Sequence, residues 1–412
     1  MMKGIKLLSF CLVFFVAGAA VPHLFSTDAF AQRVMADKKR PAPRGPESLD
    51  ILLEPYLDKY GLPALGAAVV RDGRIVAIDV TGTRKAGRKI PVTTGDRFHI
   101  GSDTKAMTAL LAAMFVEAGK LRWDSTVEEI FPELKKTVAA GWGAIPLEGL
   151  LSHTSGIPAD DETFRRLLGE SLDQEDLDLK GLRYFILSKF ITQPVAAAPR
   201  KQFAYSNMGY MMAGAMIERV AGKSWEELVL ERVFVPLRLG NAGFGPQSNV
   251  GMVDAPLPHK IIDGRAKPML AGPNADNPLV LGPAGTVHMS LQDFARWAIW
   301  NLGRGKRGPD LIRPETFTRL TTPVIDIPLK KDSAPGTPAR GRYGLGWGEV
   351  EFPWAKGPLL FHGGSNGMNL AHIILDLKSD FGMVLMTNIG GEKADEAFRS
   401  LAEELYKRYG KE

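Results

Sequence analysis

The pattern of apolar and polar positions divides the chain into a strand-rich start, a helical middle and a strand-rich end. Residues 47–60 repeat apolar side chains at helical spacing. The apolar runs 64–70 and 75–78 flank an Asp-Gly pair, which is typical of a β-hairpin. Residues 103 to about 240 follow helical patterns for most of their length, and strand-like runs return from about 341.

The closing third of the chain predicts several strands and one long helix. These elements are expected at 341–350, 358–362, 370–375, 382–388 and 392–409. Strands at both ends with helices between them predict an α+β fold, an α/β sandwich. Its antiparallel sheet would be flanked by N- and C-terminal helices, with an inserted all-α domain. The α/β part would cover about 47–101 and 283–412, and the helical part about 102–282.

The first residues have the features of an export signal. Lys3 and Lys6 precede an apolar run from 7 to 21, and an Ala-Phe-Ala sequence that ends at Ala31 fits a small-x-small cleavage site. The run is shorter than the roughly 20 residues that a membrane-spanning helix needs. We therefore expect a signal peptide over 1–31, cleaved near Ala31, with no stable membrane insertion afterwards and a periplasmic or secreted bacterial location.

Cysteine and charge content narrow the possible functions. The only cysteine, Cys11, lies in the signal segment, so the mature chain would have no disulfide and no thiol nucleophile. Residues 32–46 are rich in Lys, Arg and Pro and predict an extended linker. Removal of the signal lowers the formal net charge from +5 to +4, and several positive charges lie in the linker. The domain over 47–412 is therefore near neutral, and we expect no nucleic-acid partner.

A Ser-x-x-Lys sequence stands where an Ala-rich helix over 106–118 begins. Ser102 and Lys105 are three positions apart on the first turn, so their side chains lie beside each other. Desolvation lowers the pKa of such an amine, and the serine can then become a nucleophile. A serine cap followed by a lysine is also common in helices that have no catalytic role. Other residues must therefore show whether Ser102 is catalytic.

Two further sequences carry candidate chemistry. Tyr205-Ser206-Asn207 is the only Tyr-x-Asn in the chain. A phenol near a lysine ammonium can ionise below its reference pKa, so Tyr205 could take and return a serine proton. A buried tyrosine and a helix-capping asparagine are the structural alternative. In the sequence Phe-His-Gly-Gly-Ser-Asn-Gly over 361–367, the consecutive glycines let a ligand approach the backbone.

The order of these motifs resembles the serine β-lactamase and penicillin-binding-protein superfamily. The similarity is to its class C β-lactamase, DD-carboxypeptidase and family VIII esterase branch, which has Ser-x-x-Lys, Tyr-x-Asn and a [His/Lys]-x-Gly strand. Secondary phrases at 150–158, 283–287 and 343–347 agree with the resemblance. It extends from about residue 48 to the C terminus.

The resemblance implies a role for each matching residue. Ser102 would be the acylating nucleophile, Lys105 would hold its proton, and Tyr205 would act as general base and acid. The assignment of the base to Lys105 instead of Tyr205 stays open. Asn207 would orient the lysine or the substrate. The backbone N–H groups of Ser102 and Ser365 would form the oxyanion hole.

The third motif departs from the Lys-Thr-Gly of β-lactamases. His362-Gly363-Gly364 replaces a permanent cation with a titratable ring and lacks the hydroxyl, so it should bind a substrate carboxylate less well. Branches with His-x-Gly include D-aminopeptidase-like and DD-carboxypeptidase-like hydrolases. We therefore expect an exported serine hydrolase of esters or amides, with D-amino-acid peptides and cell-wall fragments among the candidate substrates. A true β-lactamase, a DD-carboxypeptidase and a penicillin-binding sensor with little turnover are the alternatives.

Two other hydrolase classes fit the sequence less well. Gly363-x-Ser365-x-Gly367 matches the nucleophile elbow of α/β-hydrolases, but that motif needs a helix after the serine, whereas a strand-like run follows here. The histidines are scattered and form no metal-binding pair, so we expect neither a metal nor a cofactor. His153 should make structural hydrogen bonds at a helix end, and His99 should pack beneath the Ser102 helix.

Overall fold

The structure is a computed structural model that describes residues 45–410 except 158–159, 196–200, 271, 273–274 and 329–335. The predicted signal peptide and nearly all of the predicted linker lie outside the described residues. Within the described part, no helix combines the length and the apolarity that crossing a bilayer requires.

The apolar runs at the two ends of the chain form one antiparallel sheet. The described strands are β1 (Ala64–Arg71), β2 (Arg74–Gly82), β3 (Arg97–His99), β4 (Gly243–Phe244), β5 (His259–Ile262), β6 (Arg265–Pro268), β7 (Val287–Ser290), β8 (Ile325–Asp326), β9 (Arg340–Tyr343), β10 (Gly348–Glu351), β11 (Leu359–Ser365), β12 (Leu370–Asp376) and β13 (Phe381–Thr387). The main sheet has eight strands in the order β2-β1-β13-β12-β11-β10-β9-β8. A smaller sheet has the order β3-β7-β4, and β5 and β6 form a separate hairpin.

The first hairpin forms at the predicted Asp-Gly turn. Asp72 and Gly73 have φ angles of 49° and 72°, the left-handed values that a two-residue hairpin turn needs. β1 also pairs with β13 along its length, from Leu65 opposite Thr387 to Arg71 opposite Phe381. The N- and C-terminal segments therefore meet in the interior of the sheet.

Helices cover both faces of this sheet. The described helices are α1 (Asp50–Tyr60), α2 (Thr104–Glu117), α3 (Val127–Ile130), α4 (Leu147–Leu151), α5 (Glu162–Ser171), α6 (Leu179–Phe190), α7 (Asn207–Ala221), α8 (Trp225–Val229), α9 (Val235–Leu237), α10 (Gly282–Gly285), α11 (Leu291–Leu302), α12 (Pro314–Thr321) and α13 (Glu392–Tyr409). A π-helical turn, Leu230–Phe234, joins α8 to α9, and 3₁₀ turns lie at Gly101–Asp103, Pro132–Leu134, Trp142–Ala144 and Leu279–Leu281.

Two apolar cores separate the layers. Ala67 of β1 faces a core shared with α1 and α13, where Leu401 is fully buried. The next residue, Ala68, faces the opposite core, which contains α2, α7 and α11. This alternation is the period of two expected of a strand, and the burial of both faces explains why β1 is apolar throughout. The predicted α+β class, with terminal helices against an antiparallel sheet, is confirmed.

Two details differ from the sequence-based expectation. The part over 102–282 is not entirely helical, because β4, β5 and β6 fall within it. The strand predicted over 341–350 is two strands, β9 and β10, because the chain turns between them. In that turn Gly346 has a φ of 80°, and a Cβ there would lie 2.7 Å from the Ala109 Cβ. The turn thus packs directly on α2.

Candidate active site

The start of α2 positions Ser102. Gly101 has a φ of 52°, which lets the chain leave β3 and enter a 3₁₀ turn before the helix. The Thr104 hydroxyl donates to the Gly101 carbonyl at 2.7 Å and fixes this turn. α2 is buried along most of its length, which explains its Ala-rich composition, while Ser102 keeps partial exposure at its front end.

Three predicted residues converge on one oxygen. Lys105 Nζ donates to Ser102 Oγ at 3.0 Å, and the Tyr205 hydroxyl donates to the same Oγ at 2.7 Å. Lys105 Nζ also donates at 2.7 Å to Asn207 Oδ1 and at 2.7 Å to the Ala284 carbonyl. The three hydrogen bonds of Lys105 give the lysine one fixed position beside the serine hydroxyl.

Burial tunes Lys105 for proton transfer. Its side chain is fully buried, and this desolvation lowers the pKa of the amine to about 7. The carboxylates of Asp160 and Asp103 act in the opposite direction and raise that pKa. A large fraction of Lys105 is therefore neutral at neutral pH. In that form a lone pair replaces one of the three N–H donors of Nζ, and on the side of Ser102 it can accept the serine proton.

Tyr205 does not have the lowered pKa that the sequence suggested. Its side chain lies at the rim of the site and is 37% exposed, but the packed surroundings of its hydroxyl raise its pKa by desolvation. A positive charge on Lys105 was expected to lower the pKa of the phenol. Lys105 itself loses its proton near neutral pH, so this effect is weak. The phenol therefore keeps its proton and acts as a donor toward Ser102 Oγ.

Asp160 is a site residue that the sequence analysis missed. Asp160 Oδ1 accepts from the Asn207 backbone N–H at 3.1 Å, and its other oxygen accepts from the Asn207 amide. These bonds orient the Asn207 side chain so that its Oδ1 faces Lys105. The only available signal was an acidic pair shortly after the Ser-His-Thr-Ser-Gly phrase.

The end of β11 lies against the turn that holds Ser102. A Cβ at Gly364 would lie 1.9 Å from the Ile100 carbonyl, and one at Gly101 would lie 2.4 Å from the Ser365 nitrogen. Only glycines permit this approach, which brings the backbones of Ser102 and Ser365 side by side, as an oxyanion hole requires. The pairing of β11 with β10 ends at Phe361.

His362 is neutral and already hydrogen-bonded. Its Nε2 lies 3.0 Å from the Tyr343 hydroxyl, and its Nδ1 lies 3.0 Å from the Gly363 carbonyl. Burial lowers the pKa of the ring to about 3. The ring therefore presents no positive charge at physiological pH, in contrast to the lysine that β-lactamases have at this place.

The sequence analysis also did not predict that a buried pair, His99 and Asp276, would support the turn that holds Ser102. His99 packs under the Ser102 helix, and its Nδ1 accepts from the Gly101 N–H at 3.0 Å. Its Nε2 lies 2.7 Å from Asp276 Oδ1, which also accepts from Asn366 Nδ2 at 3.1 Å. The pair thus ties the serine turn to the residue that follows β11.

Comparison with known proteins places the chain in a family. The family model described as Beta-lactamase matches residues 49–406. The chain belongs to the β-lactamase family. Protein flp of Staphylococcus aureus (strain MRSA252) is 22% identical over 365 residues, which are 88% of this chain and 67% of that protein. Penicillin-binding protein 4 of Amycolatopsis lactamdurans is 26% identical over 363 residues, which are 84% of this chain and 86% of that protein.

Solved structures show the same fold. The octameric penicillin-binding protein homologue from Pyrococcus abyssi has a TM-score of 0.69 at 21% identity and covers 87% of this chain and 77% of its own. D-alanine carboxypeptidase AmpC from Burkholderia cenocepacia has a TM-score of 0.63 at 19% identity, and the match covers 86% of this chain and 97% of that protein. Members of the β-lactamase superfamily are generally serine hydrolases, and this chain has their fold.

The structure of this β-lactamase family member does not support the two alternative sites, a nucleophile elbow and a metal centre. Ser365 ends a strand and is followed by β12 instead of a helix, so the nucleophile-elbow alternative is wrong. Among the described residues, no group of three or more His, Cys, Asp and Glu side chains could hold a metal ion. His153 follows α4 and accepts from the Ser206 N–H at 3.1 Å, and its ring packs 4.2 Å from the Tyr205 ring.

Proposed function

We propose that the protein is an exported serine hydrolase that cleaves neutral esters or amides through an acyl-enzyme on Ser102. The observation that carries this proposal is the placement of Ser102 Oγ between Lys105 Nζ at 3.0 Å and the Tyr205 hydroxyl at 2.7 Å. A hydroxyl held by a neutral amine and a phenol has both a proton acceptor and a proton donor in reach.

Acylation assigns one task to each group. Neutral Lys105 takes the proton of Ser102 while Oγ attacks the substrate carbonyl carbon and forms a new C–O bond. The backbone N–H groups of Ser102 and Ser365 stabilise the oxyanion. The bond to the leaving group then breaks, and Tyr205 gives its proton to the departing oxygen or nitrogen. The Lys105 ammonium then holds the proton that the Tyr205 phenolate lacks, and a water molecule in the site carries it from one to the other.

Deacylation uses water as the nucleophile and Lys105 first as the base and then as the acid. Water attacks the carbonyl carbon of the acyl-enzyme, and its proton passes to Lys105. The bond between the carbonyl carbon and Ser102 Oγ breaks, and the serine takes that proton back. The products are a carboxylic acid and the free enzyme, so the protons balance over one turnover.

The third motif favours neutral substrates over penicillins. His362 is neutral and hydrogen-bonded to Tyr343, so no cation stands where penicillin-recognising relatives carry a lysine. The replacement of that lysine by His362 does not weaken the binding of an ester that has no carboxylate. A penicillin, in contrast, loses a charge-assisted hydrogen bond to its carboxylate. We therefore place ester hydrolysis ahead of β-lactam hydrolysis.

A D-amino-acid peptide is the second candidate substrate. The edge of β11 beyond Phe361 is not paired with β10, and an extended peptide could add to such an edge through its backbone. A penicillin-binding protein and a D-alanine carboxypeptidase are among the similar proteins, which supports this candidate.

Three compounds test the proposal. Purified protein is incubated with p-nitrophenyl butyrate, a D-alanyl p-nitroanilide and a penicillin, with Ser102→Ala as the control variant. We expect turnover of the ester, lower turnover of the anilide and little of the penicillin, all abolished by the substitution. Rapid penicillin turnover would make the protein a β-lactamase, and a stable penicillin adduct would make it a penicillin-binding sensor. For the export part, we expect the mature N terminus near Gln32.

A further inference from the structure

A cavity of about 460 Å³ lies next to the candidate active site, on the side of Tyr205. Tyr205 lines it, and this is the side chain whose hydroxyl lies 2.7 Å from Ser102 Oγ. Much of the remaining wall is apolar and comes from Phe203, Ile327, Gly341, Gly348, Val350 and Phe361. The glycines of β9 and β10 leave space where side chains would otherwise fill the wall.

Two polar side chains in this wall, Tyr343 and His362, are hydrogen-bonded to each other. The Tyr343 hydroxyl and His362 Nε2 bind each other at 3.0 Å, and His362 Nδ1 binds the Gly363 carbonyl. The other histidine in the wall, His372, is also neutral, because burial lowers its pKa to about 3. Among the lining residues that the structure describes there is no Lys, Arg, Asp or Glu. A charged substituent would therefore lose its hydration there without gaining a counter-charge.

The position of the cavity indicates which half of the substrate enters it. Tyr205 donates the proton to the leaving group in the proposed acylation, and Tyr205 forms part of the cavity wall. Asn207 and Ser365, which flank the reacting centre elsewhere, do not line it. The group that departs with the proton from Tyr205 thus lies next to the apolar wall.

We propose that this cavity binds an apolar, aryl-sized leaving group of a neutral ester. The proposal rests on the proposed ester hydrolysis and names its substrate class. Cavities of roughly 300 to 1,000 Å³ with apolar walls and few polar groups are typical of small-molecule sites. The present cavity is large enough for one ring, and apolar contacts would hold that ring beside the scissile bond.

A pair of esters with the same acyl group tests the proposal. Methyl acetate and benzyl acetate release alcohols of similar acidity, so a difference in kcat/KM reports recognition of the leaving group. We expect the wild-type protein to favour the benzyl ester by a factor of about ten or more. Ile327→Trp, which fills the cavity, should reduce this ratio several-fold. Ile261→Trp, on the exposed side of the β5–β6 hairpin, should leave it unchanged.

A fluorophosphonate probe separates a misfolded variant from an informative one. If Ile327→Trp fails to label, Gly341→Ala replaces it, because a Cβ there makes only an ordinary contact, 3.4 Å from Ile327, and still narrows the wall. Equal rates for the two esters in the wild-type protein would overturn the proposal. It would also be overturned if methyl phenylacetate were favoured over methyl acetate and Ile327→Trp removed that preference, because the cavity would then hold the acyl group. Absence of both labelling and ester turnover in the wild-type protein would instead contradict the proposed function itself.

Discussion

At the scale of single residues, burial favours Lys105 over Tyr205 as the proposed base. The sequence predicted that desolvation would lower the pKa of Lys105, and full burial does so. The same reasoning failed for Tyr205, because it assumed a charged lysine beside the phenol. The family resemblance indicates that these two titratable groups are neighbours, but the order in which they lose protons depends on how deeply each is buried.

The pH dependence of acylation follows from the lysine. Only neutral Lys105 can take the serine proton, so kcat/KM should rise with pH through an apparent pKa near 7. Asp160→Asn removes a negative charge that raises this pKa, so the midpoint should move to lower pH. Asp161→Asn is the matched control, since Asn also caps α5. Stopped-flow rates with p-nitrophenyl butyrate measure the profile, and a flat profile between pH 5.5 and 8.5 would rule out Lys105 as the base.

Tyr205→Phe tests the assignment of the acid. Removal of the proton donor should lower the rate on an alkyl ester by about 10² to 10⁴. The loss should be much smaller with a p-nitrophenyl ester, because p-nitrophenolate departs without protonation. Steady-state rates on both esters provide the comparison. An equally large loss on both would mean that Tyr205 is the base, as the resemblance to the family first implied.

At the scale of elements, the site depends on the close contact between β11 and the turn before α2. The sequence indicated a strand end at which consecutive glycines admit a ligand. In the structure Gly364 also admits the protein's own backbone, because the Ile100 carbonyl occupies the space of a Cβ. Contacts between segments more than 200 residues apart leave no local signal. The sequence therefore could not show that Gly364 is needed for the packing of the strand against the serine turn.

Gly364→Ala should separate the two halves of the oxyanion hole. The new methyl group would force the turn or the strand to move by about 1 Å or more, and such a displacement can cost about 10²-fold in rate. Gly240→Ala is the control, because a Cβ there meets nothing within 4 Å. The measurement is kcat/KM with an activated ester, alongside circular dichroism. Near-normal activity of Gly364→Ala would contradict the proposed oxyanion hole.

Element boundaries were predictable where local chemistry sets them. The Asp72-Gly73 turn and the long C-terminal helix lie where the sequence predicted them, because turn geometry and an apolar stripe act locally. The predicted strand over 341–350 failed because its central turn is stabilised from outside. A Cβ at Gly344 would lie 2.6 Å from the Leu320 carbonyl, and this partner is distant in sequence from the turn itself.

At the scale of the whole molecule, the sheet and the helical middle form one compact unit from Pro46 onward. The sequence predicted the layers, since apolar patterning determines which faces are buried. It did not predict Asp160 or Asp276 as site residues. Both carboxylates act through partners that only the tertiary fold brings near, and neither stands in a motif.

Unfolding should therefore be a single cooperative transition. Arg183 is fully buried and binds Glu218 and Glu226 in the helical layer, so Arg183→Met should cost about 3 to 5 kcal/mol. Leu401→Ala opens a cavity in the core beneath α13 and should cost about 2 to 5 kcal/mol. Both variants should shift the same urea transition, followed by fluorescence and circular dichroism. Two transitions, each moved by one variant only, would show that the sheet and the helical part unfold separately.

Acylation of Ser102 is the step on which the proposed function depends. The most direct test is to quench a reaction with p-nitrophenyl butyrate in acid within milliseconds and to locate the added mass by peptide mass spectrometry. We expect one butyryl group on the peptide that contains Ser102, lost with time at neutral pH and absent from Ser102→Ala. A butyryl group on another residue, or turnover that persists in Ser102→Ala, would contradict it.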